Sequence, residues 1–376
     1  MQEFSEILIR TLSRAQQKLL VAFAMTVVAL IGGPLLAADP VPQLVPRYTD
    51  HLNLLYYLDV QGERHPVNTL ADWQQRRGHI LLGMQAVMGN LPKLAHKSPL
   101  DVQVIEEVSV GKILRRKLTY QSEPGVRVPA YLFLPPHTGN QKLAAVLCLH
   151  QTNPHGKSEA AGLKGNPEMQ YAKELAERGF VTLAPDYPSF GDYQWNFTAH
   201  PEYASGTMKA IWDNIRGVDL LQSLPEVDGE RIGCLGHSLG GHNTLFTGAF
   251  EPRLKAFVTC CGFSRFGRDD VPSWSGKSYM PRIAKVYGNS ADKLPFDFPE
   301  VLATLAPRPL LVVAAKKDND FDVQGVQETL TQVRPLYALF KQESRLQAIF
   351  PDAGHSFPQE SRRVAYEFLA TQLKAK

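Results

Sequence analysis

After Gly139 the chain alternates between two kinds of text. LAAVLCLH, FVTLAPD, RIGCLGH, KAFVTCC, RPLLVVAA and LQAIFPDAGH are short and almost continuously apolar. Segments of helical character, such as PEMQYAKELAERG and TMKAIWDNIRGVDLLQSL, lie between most of them. A strand with one face in water alternates apolar and polar residues, whereas a strand covered on both faces need not. The pattern therefore predicts an α/β fold: a mostly parallel central sheet with helices on both faces. It also predicts where chemistry belongs, because reactive groups in such sheets collect outside the carboxyl ends of the strands.

Upstream the text differs. Residues 46–99 read as a helical extension, clearest in TLADWQQRRGHILLGMQAVMG, where Leu70, Trp73, Ile80, Leu81, Met84 and Val87 follow one stripe. VQVIEEVSV, ILRRKLTY and VRVPAYLFLP then alternate in part, as a half-buried antiparallel edge would. At the N-terminus, Arg10, Arg14 and Lys18 precede LLVAFAMTVVALI and GGPLLAADP. A basic stretch, an apolar run and a small-residue site form an export signal cleaved after Ala38. An uncleaved anchor over residues 19–38 is the alternative, since that run is nearly long enough to span a bilayer. The expected organisation is thus a signal over 1–38, an N-terminal helical extension over 39–100 and an α/β domain over 101–376. Export would make the protein periplasmic or secreted, and only its N-terminal segment would meet a membrane.

Composition narrows the function classes. With 44% hydrophobic and 20% charged residues the 376-residue chain is of the soluble globular kind. A net charge of +3 without a Lys/Arg block leaves no footprint for nucleic acid. Cys148, Cys234, Cys260 and Cys261 include no C-x-x-C pair, so no zinc site is expected. All four lie in or beside apolar runs and read as buried free thiols.

Between the run RIGCLGH and the next helical stretch stands G-H-S-L-G, residues 236–240. A serine on a sharp strand-to-helix turn has its hydroxyl exposed, and glycines two residues either side avoid collision. Ser238 is therefore the candidate nucleophile. A hydroxyl needs a base and a group that orients the base. KKDNDFD follows RPLLVVAA and supplies Asp318, with Asp320 and Asp322 as alternatives; LQAIFPDAGH ends in His355. The spare aspartates suit the cap of the helix beginning near Val323. An oxyanion site requires two backbone N–H donors. Leu239, first in the helix, is one; Thr152, or else Gln151, in LCLHQTNPHGKSE is the other, with His150 bracing that loop. No metal ligands are spaced with these residues.

The loops DYPSFGDYQWNF and GFSRFGRDDVPSWSGKSYMPR should wall the pocket. Tyr187, Trp195, Phe263 and Trp274 are candidates to grip a sugar or an acyl group, although aromatics more often pack such loops internally. Arg268 is a candidate partner for a substrate carboxylate.

These residues resemble the α/β-hydrolase superfamily from about Asp101 onward. Within it LHQT…GKSE, APDYPSFGDY, GHSLGGHNTLF, LAPRPLLVVAAKKDNDFD and PDAGHSFP are most similar to the dienelactone hydrolase and acetyl xylan esterase-like group. The resemblance implies an α/β-hydrolase fold, a Ser238–His355–Asp318 triad, no cofactor, and hydrolysis of a small-molecule or carbohydrate carboxylic ester. The serine departs from dienelactone hydrolases proper, which use cysteine. A peptidase of the prolyl oligopeptidase type and an acyltransferase share the same triad. A non-catalytic binding fold would require a missing member.

Overall fold

The computed structural model describes residues 46–92, 98–137 and 141–375. The N-terminal run read as an export signal or anchor, and the boundary at Ala38, lie outside them. Among the described residues no helix is long and apolar enough to cross a membrane.

Among the described residues the first elements are a small hairpin, β1 (Tyr56–Leu58) against β2 (Arg64–Pro66), and then α1 (Leu70–Met88). The extension is therefore not purely helical: the hairpin precedes its one long helix. Thr69 and Asp72 start α1 with a reciprocal capping box. Trp73, Ile80, Met84 and Val87 are buried on the expected stripe, but Leu70 is 58% exposed because it begins the helix beyond the packed surface.

The main sheet has nine strands in the order β11-β10-β9-β8-β6-β7-β5-β4-β3. β3 (Gln103–Val110), β4 (Ile113–Glu123) and β5 (Val126–Leu134) form the antiparallel edge. β6 (Leu143–Leu149), β7 (Val181–Pro185), β8 (Val227–His237), β9 (Leu254–Cys260), β10 (Leu310–Val313) and β11 (Leu346–Ile349) run parallel. Their unbroken apolarity has a direct cause. Ala145 and Leu147 of β6 pack into one core, while Ala144, Val146 and Cys148 pack into the other. Cys234 and Leu235 of β8 divide in the same way.

One core is covered by α1, α3 (Gly206–Ser223), α4 (Leu239–Phe250), α5 (Phe298–Ala303) and α6 (Val323–Leu339); the other by α2 (Tyr171–Ala176) and α7 (Gln359–Gln372). Trp73 and Met84 of α1 join the same core as the sheet, so the extension is built into the fold. A buried ion pair ties it down: Arg76 donates to Glu300 of α5 at 2.5 Å, with both side chains inaccessible. The Arg76 guanidinium also lies 3.3 Å from the ring centre of Tyr48. All four cysteines are buried and free.

Candidate active site

The parallel register brings the ends of β6, β8, β9, β10 and β11 to one edge of the sheet. Ser238 follows β8 with φ 54° and ψ −120°, a left-handed conformation that a serine adopts only under constraint. Its neighbours explain how the turn is possible. A Cβ on Gly236 would lie 2.2 Å from the Gly240 carbonyl oxygen, and one on Gly240 only 1.9 Å from that of Leu149. The glycines are therefore required by close backbone approach. The Ser238 N–H donates to the Cys260 carbonyl at 2.9 Å, tying the turn to β9.

Asp318 and His355 come from the ends of β10 and β11. His355 Nδ1 lies 3.0 and 3.1 Å from the two Asp318 oxygens. Asp318 Oδ1 also accepts the backbone N–H groups of Asp320 (2.9 Å) and Phe321 (3.1 Å). Burial alone would raise the Asp318 pKa, but the hydrogen bond and charge interaction with His355, the Asp320 N–H and the Cys261 thiol outweigh it, so the carboxyl is held low. Of the alternative acids, Asp322 caps α6 by accepting from Gln324 N. Asp320 does not cap the helix. Its exposed carboxylate lies 3.5 Å from the other nitrogen of His355, Nε2. Among the described residues the Ser238 hydroxyl makes no hydrogen bond. The His355 ring sits 4.7 Å from the ring of His237, the residue before Ser238.

The loop after β6 is held by an internal relay. His150 Nδ1 donates to the Gln151 carbonyl (2.7 Å), and its Nε2 accepts from Tyr187 N (2.9 Å). The Gln151 side chain turns inward: Nε2 donates to Glu159 (2.7 Å), leaving Oε1 to accept from His237 Nδ1 (2.6 Å). That hydrogen bond makes His237 Nε2 the bare nitrogen, and it is buried without a partner. Burial, and then the neighbouring His355, push the His237 pKa down to about 3. His150 braces the loop as the sequence led us to expect; the link through the Gln151 side chain to His237 was missed, although His237 stood inside the pentapeptide.

A cavity of about 390 Å³ opens over the serine. Ser238, Leu239, His242, Trp274, Tyr279 and Phe321 line it, and Thr152, Ser273 and Asn319 contribute as well. Its charged residues are Asp269, Asp270 and Asp320. The Thr152 hydroxyl is 2.9 Å from that of Tyr279. Of the five expected pocket residues only Trp274 lines this cavity. Tyr187 is buried, and its hydroxyl donates to the Ser278 carbonyl. Trp195 stacks on His200 at 4.0 Å, and Phe263 stacks on Phe298 inside the core. Arg268 turns to Glu328 (2.6 Å) and cannot serve as a pocket cation. These aromatics pack their own long loops, which offer more apolar neighbours than the cavity does. His242 was not named from sequence, although it stands one helical turn after Ser238; of the carboxylates, Asp320 was named as an alternative acid, and Asp269 and Asp270 lay in a loop expected to wall the pocket.

Strand order, the elbow after β8, and an acid and a histidine beyond β10 and β11 define an α/β-hydrolase. The sequence profile of the prolyl oligopeptidase family matches residues 168–374, more than half of the chain. The chain belongs to that family and is a hydrolase. An uncharacterized Pseudomonas aeruginosa protein is 35% identical over 153 residues, 40% of this chain and 37% of that protein, so the match spans well under two thirds of that relative. The provisionally named hydrolase YtaP of Bacillus subtilis is 25% identical over 299 residues, covering 75% of this chain and 95% of its own. A glucuronoyl esterase from Solibacter usitatus has a similar fold, with TM-score 0.69, 18% identity, and coverage of 88% of this chain and 99% of its own.

Proposed function

We propose that the chain is a serine-dependent carboxylic-ester hydrolase working through an acyl-enzyme. One observation carries the reading: a serine in a strained elbow borders a cavity, with a histidine–aspartate pair at the ends of β10 and β11 on the same edge of the sheet. Ser238 Oγ attacks the ester carbonyl carbon while His355 Nε2 takes its proton, and Asp318 holds the opposite ring nitrogen. The tetrahedral oxyanion is received by N–H groups of Leu239 and of Thr152 or Gln151. His355 then protonates the departing alcohol, leaving acyl-Ser238. A water, deprotonated by the same histidine, releases the acid and restores the serine. Asp320, exposed beside Nε2, gives way to substrate before the first transfer; such contacts commonly tighten only in the complex.

Esters of carbohydrates are the substrate class to try first, because the fold neighbours include a glucuronoyl esterase. The prolyl oligopeptidase profile favours a peptide bond as the second reading. Fluorophosphonate labelling with mapping of the adduct tests the site. Ser238 is expected to carry it, and Ser238→Ala to lose hydrolysis of nitrophenyl acetate. An adduct elsewhere, or full activity in that variant, refutes the assignment. A panel of acetyl, butyryl and feruloyl esters beside peptide amides then separates the two readings. We also propose export with removal of residues 1–38, which N-terminal sequencing of the mature protein decides.

A further inference from the structure

The charge of the cavity has a bearing on which ester enters it. Asp269, Asp270 and Asp320 line the space over Ser238, and no lysine or arginine does so among the described residues. The nearest arginines in the chain are committed elsewhere. Arg265 pairs with Glu328 (2.5 Å) and Asp297 (3.3 Å), and Arg268 pairs with Glu328 (2.6 Å) and Asp322 (3.6 Å). Among the described residues neither Asp269 nor Asp270 has an ion-pair partner.

Asp269 is the innermost of the three acids. It accepts from Trp274 Nε1 at 3.1 Å and from Asp270 N at 2.8 Å. Burial raises its pKa to about 6, so keeping it ionised at neutral pH opposes stability. A carboxylate perturbed by burial in a cleft is a candidate for a functional role.

Among the described residues His242 is the one histidine in the lining, and it leaves the acids unneutralised. It lines the same cavity, its ring centre lies 4.8 Å from that of Trp274, and its Nδ1 is buried without a partner. Burial lowers its pKa to about 3, so the ring is neutral and does not offset the acids. Trp274, whose Nε1 donates to Asp269, lines the cavity beside these acids. A cleft lined by one sign of charge focuses its field on the ligand that enters.

We propose that this cavity selects esters carrying a positive charge, an ammonium group received by Asp269, Asp270 and Asp320 beside Trp274. The proposal rests on the ester-hydrolase reading of Ser238. It predicts discrimination against esters that carry a free carboxylate or sulfonate.

The test compares three thioesters of similar size: acetylthiocholine, its uncharged carbon isostere S-(3,3-dimethylbutyl) thioacetate, and S-acetyl-3-mercaptopropanesulfonate. The expected order of kcat/KM is cation, neutral, anion, with the cation favoured over the neutral isostere by about tenfold or more. That ratio is expected to fall as salt rises, since exposed charges are screened. In Asp269→Asn, and separately in the more exposed Asp270→Asn, it should fall several-fold. The ratio within each variant is the readout, so a general loss of folded enzyme cancels. Equal rates for cation and isostere, or a ratio unmoved in both variants, overturn the charge proposal while leaving a Ser238 hydrolase intact. No hydrolysis of any thioester, with Ser238 unlabelled by fluorophosphonate, overturns the underlying reading and the proposal with it.

Discussion

A methyl group at Gly240 would have to sit 1.9 Å from the Leu149 carbonyl oxygen, 2.6 Å from its carbon and 2.9 Å from the His150 oxygen. All three are backbone atoms, so no side chain can swing aside. Restoring an ordinary contact requires β6 and the first turn of α4 to separate by roughly 1.5 Å. That turn carries Ser238 and Leu239, and the displaced strand leads into Gln151 and Thr152. Gly240→Ala would therefore pull the candidate nucleophile and the Leu239 donor away from the second candidate donor, Thr152 or Gln151. Misplacement by about 1 Å can cost on the order of 10²-fold in rate. Overpacking against backbone costs about 1–3 kcal/mol, and this site belongs at the upper end. For a chain of this size that corresponds to a melting temperature lower by roughly 4 °C. The assay is kcat/KM on nitrophenyl acetate beside a thermal melt, with Gly267→Ala as control, since a Cβ there meets nothing within 4 Å. Gly240→Ala with undiminished activity and an unchanged melting temperature would refute the close-approach argument.

Other outcomes follow from the same geometry. Glu300→Ala leaves the Arg76 guanidinium buried without its carboxylate and should cost about 3–5 kcal/mol in denaturant unfolding; an unchanged midpoint would show that the pair contributes nothing. His237 and His242, held near pKa 3, refuse protons that the unfolded chain accepts below about 6.5. Stability should thus fall as pH drops from 6.5 toward 3, by up to about 1.4 kcal/mol per pH unit for each ring. Asp269 acts with the opposite sign between 3.8 and about 6, because there the folded state keeps a proton that the unfolded state has released. Asp269→Asn should consequently steepen the loss on acidification, as read from urea midpoints between pH 4 and 7; an unaltered slope would contradict the burial assigned to this acid. Gly78 lies within α1 with open space around its Cβ position. Gly78→Ala should stabilise by about 0.5–1 kcal/mol, and a loss would mean that the helix is packed more tightly there than described.

Much of the architecture was legible because it follows from a local rule. Ala144 through Leu149 are apolar without interruption, and only a strand covered on both faces needs that. The short range of the elbow made it equally readable: Gly236, Ser238 and Gly240 stand two residues apart, and Gly236 is required by the backbone of Gly240 itself, although Gly240 in turn meets Leu149 from distant β6. The two-stranded β1–β2 unit was not legible. Three-residue strands carry no period, and Tyr48, Leu54 and Tyr56 are apolar for the sake of contacts with α1 and its surroundings.

The site divides along the same line. Sequence alone determined that a serine, an aspartate and a histidine would stand at the ends of separate strands in that order, because order along the chain becomes order at the sheet edge once strands are parallel. It also determined that Asp322 was suited to a cap, an interaction spanning two residues. Tertiary structure alone decided which aromatics meet the cavity. Trp274 does, whereas Tyr187, Trp195 and Phe263 are absorbed by partners distant in sequence, at Ser278, Lys209 and Phe298. It decided that Arg268 answers to Glu328 sixty positions away. Finally, it gathered Asp269, Asp270 and Asp320 from separate loops around one serine. Loops carry no periodic signal; where a loop residue's charge points depends on the whole packed surface, and only the folded chain computes that sum.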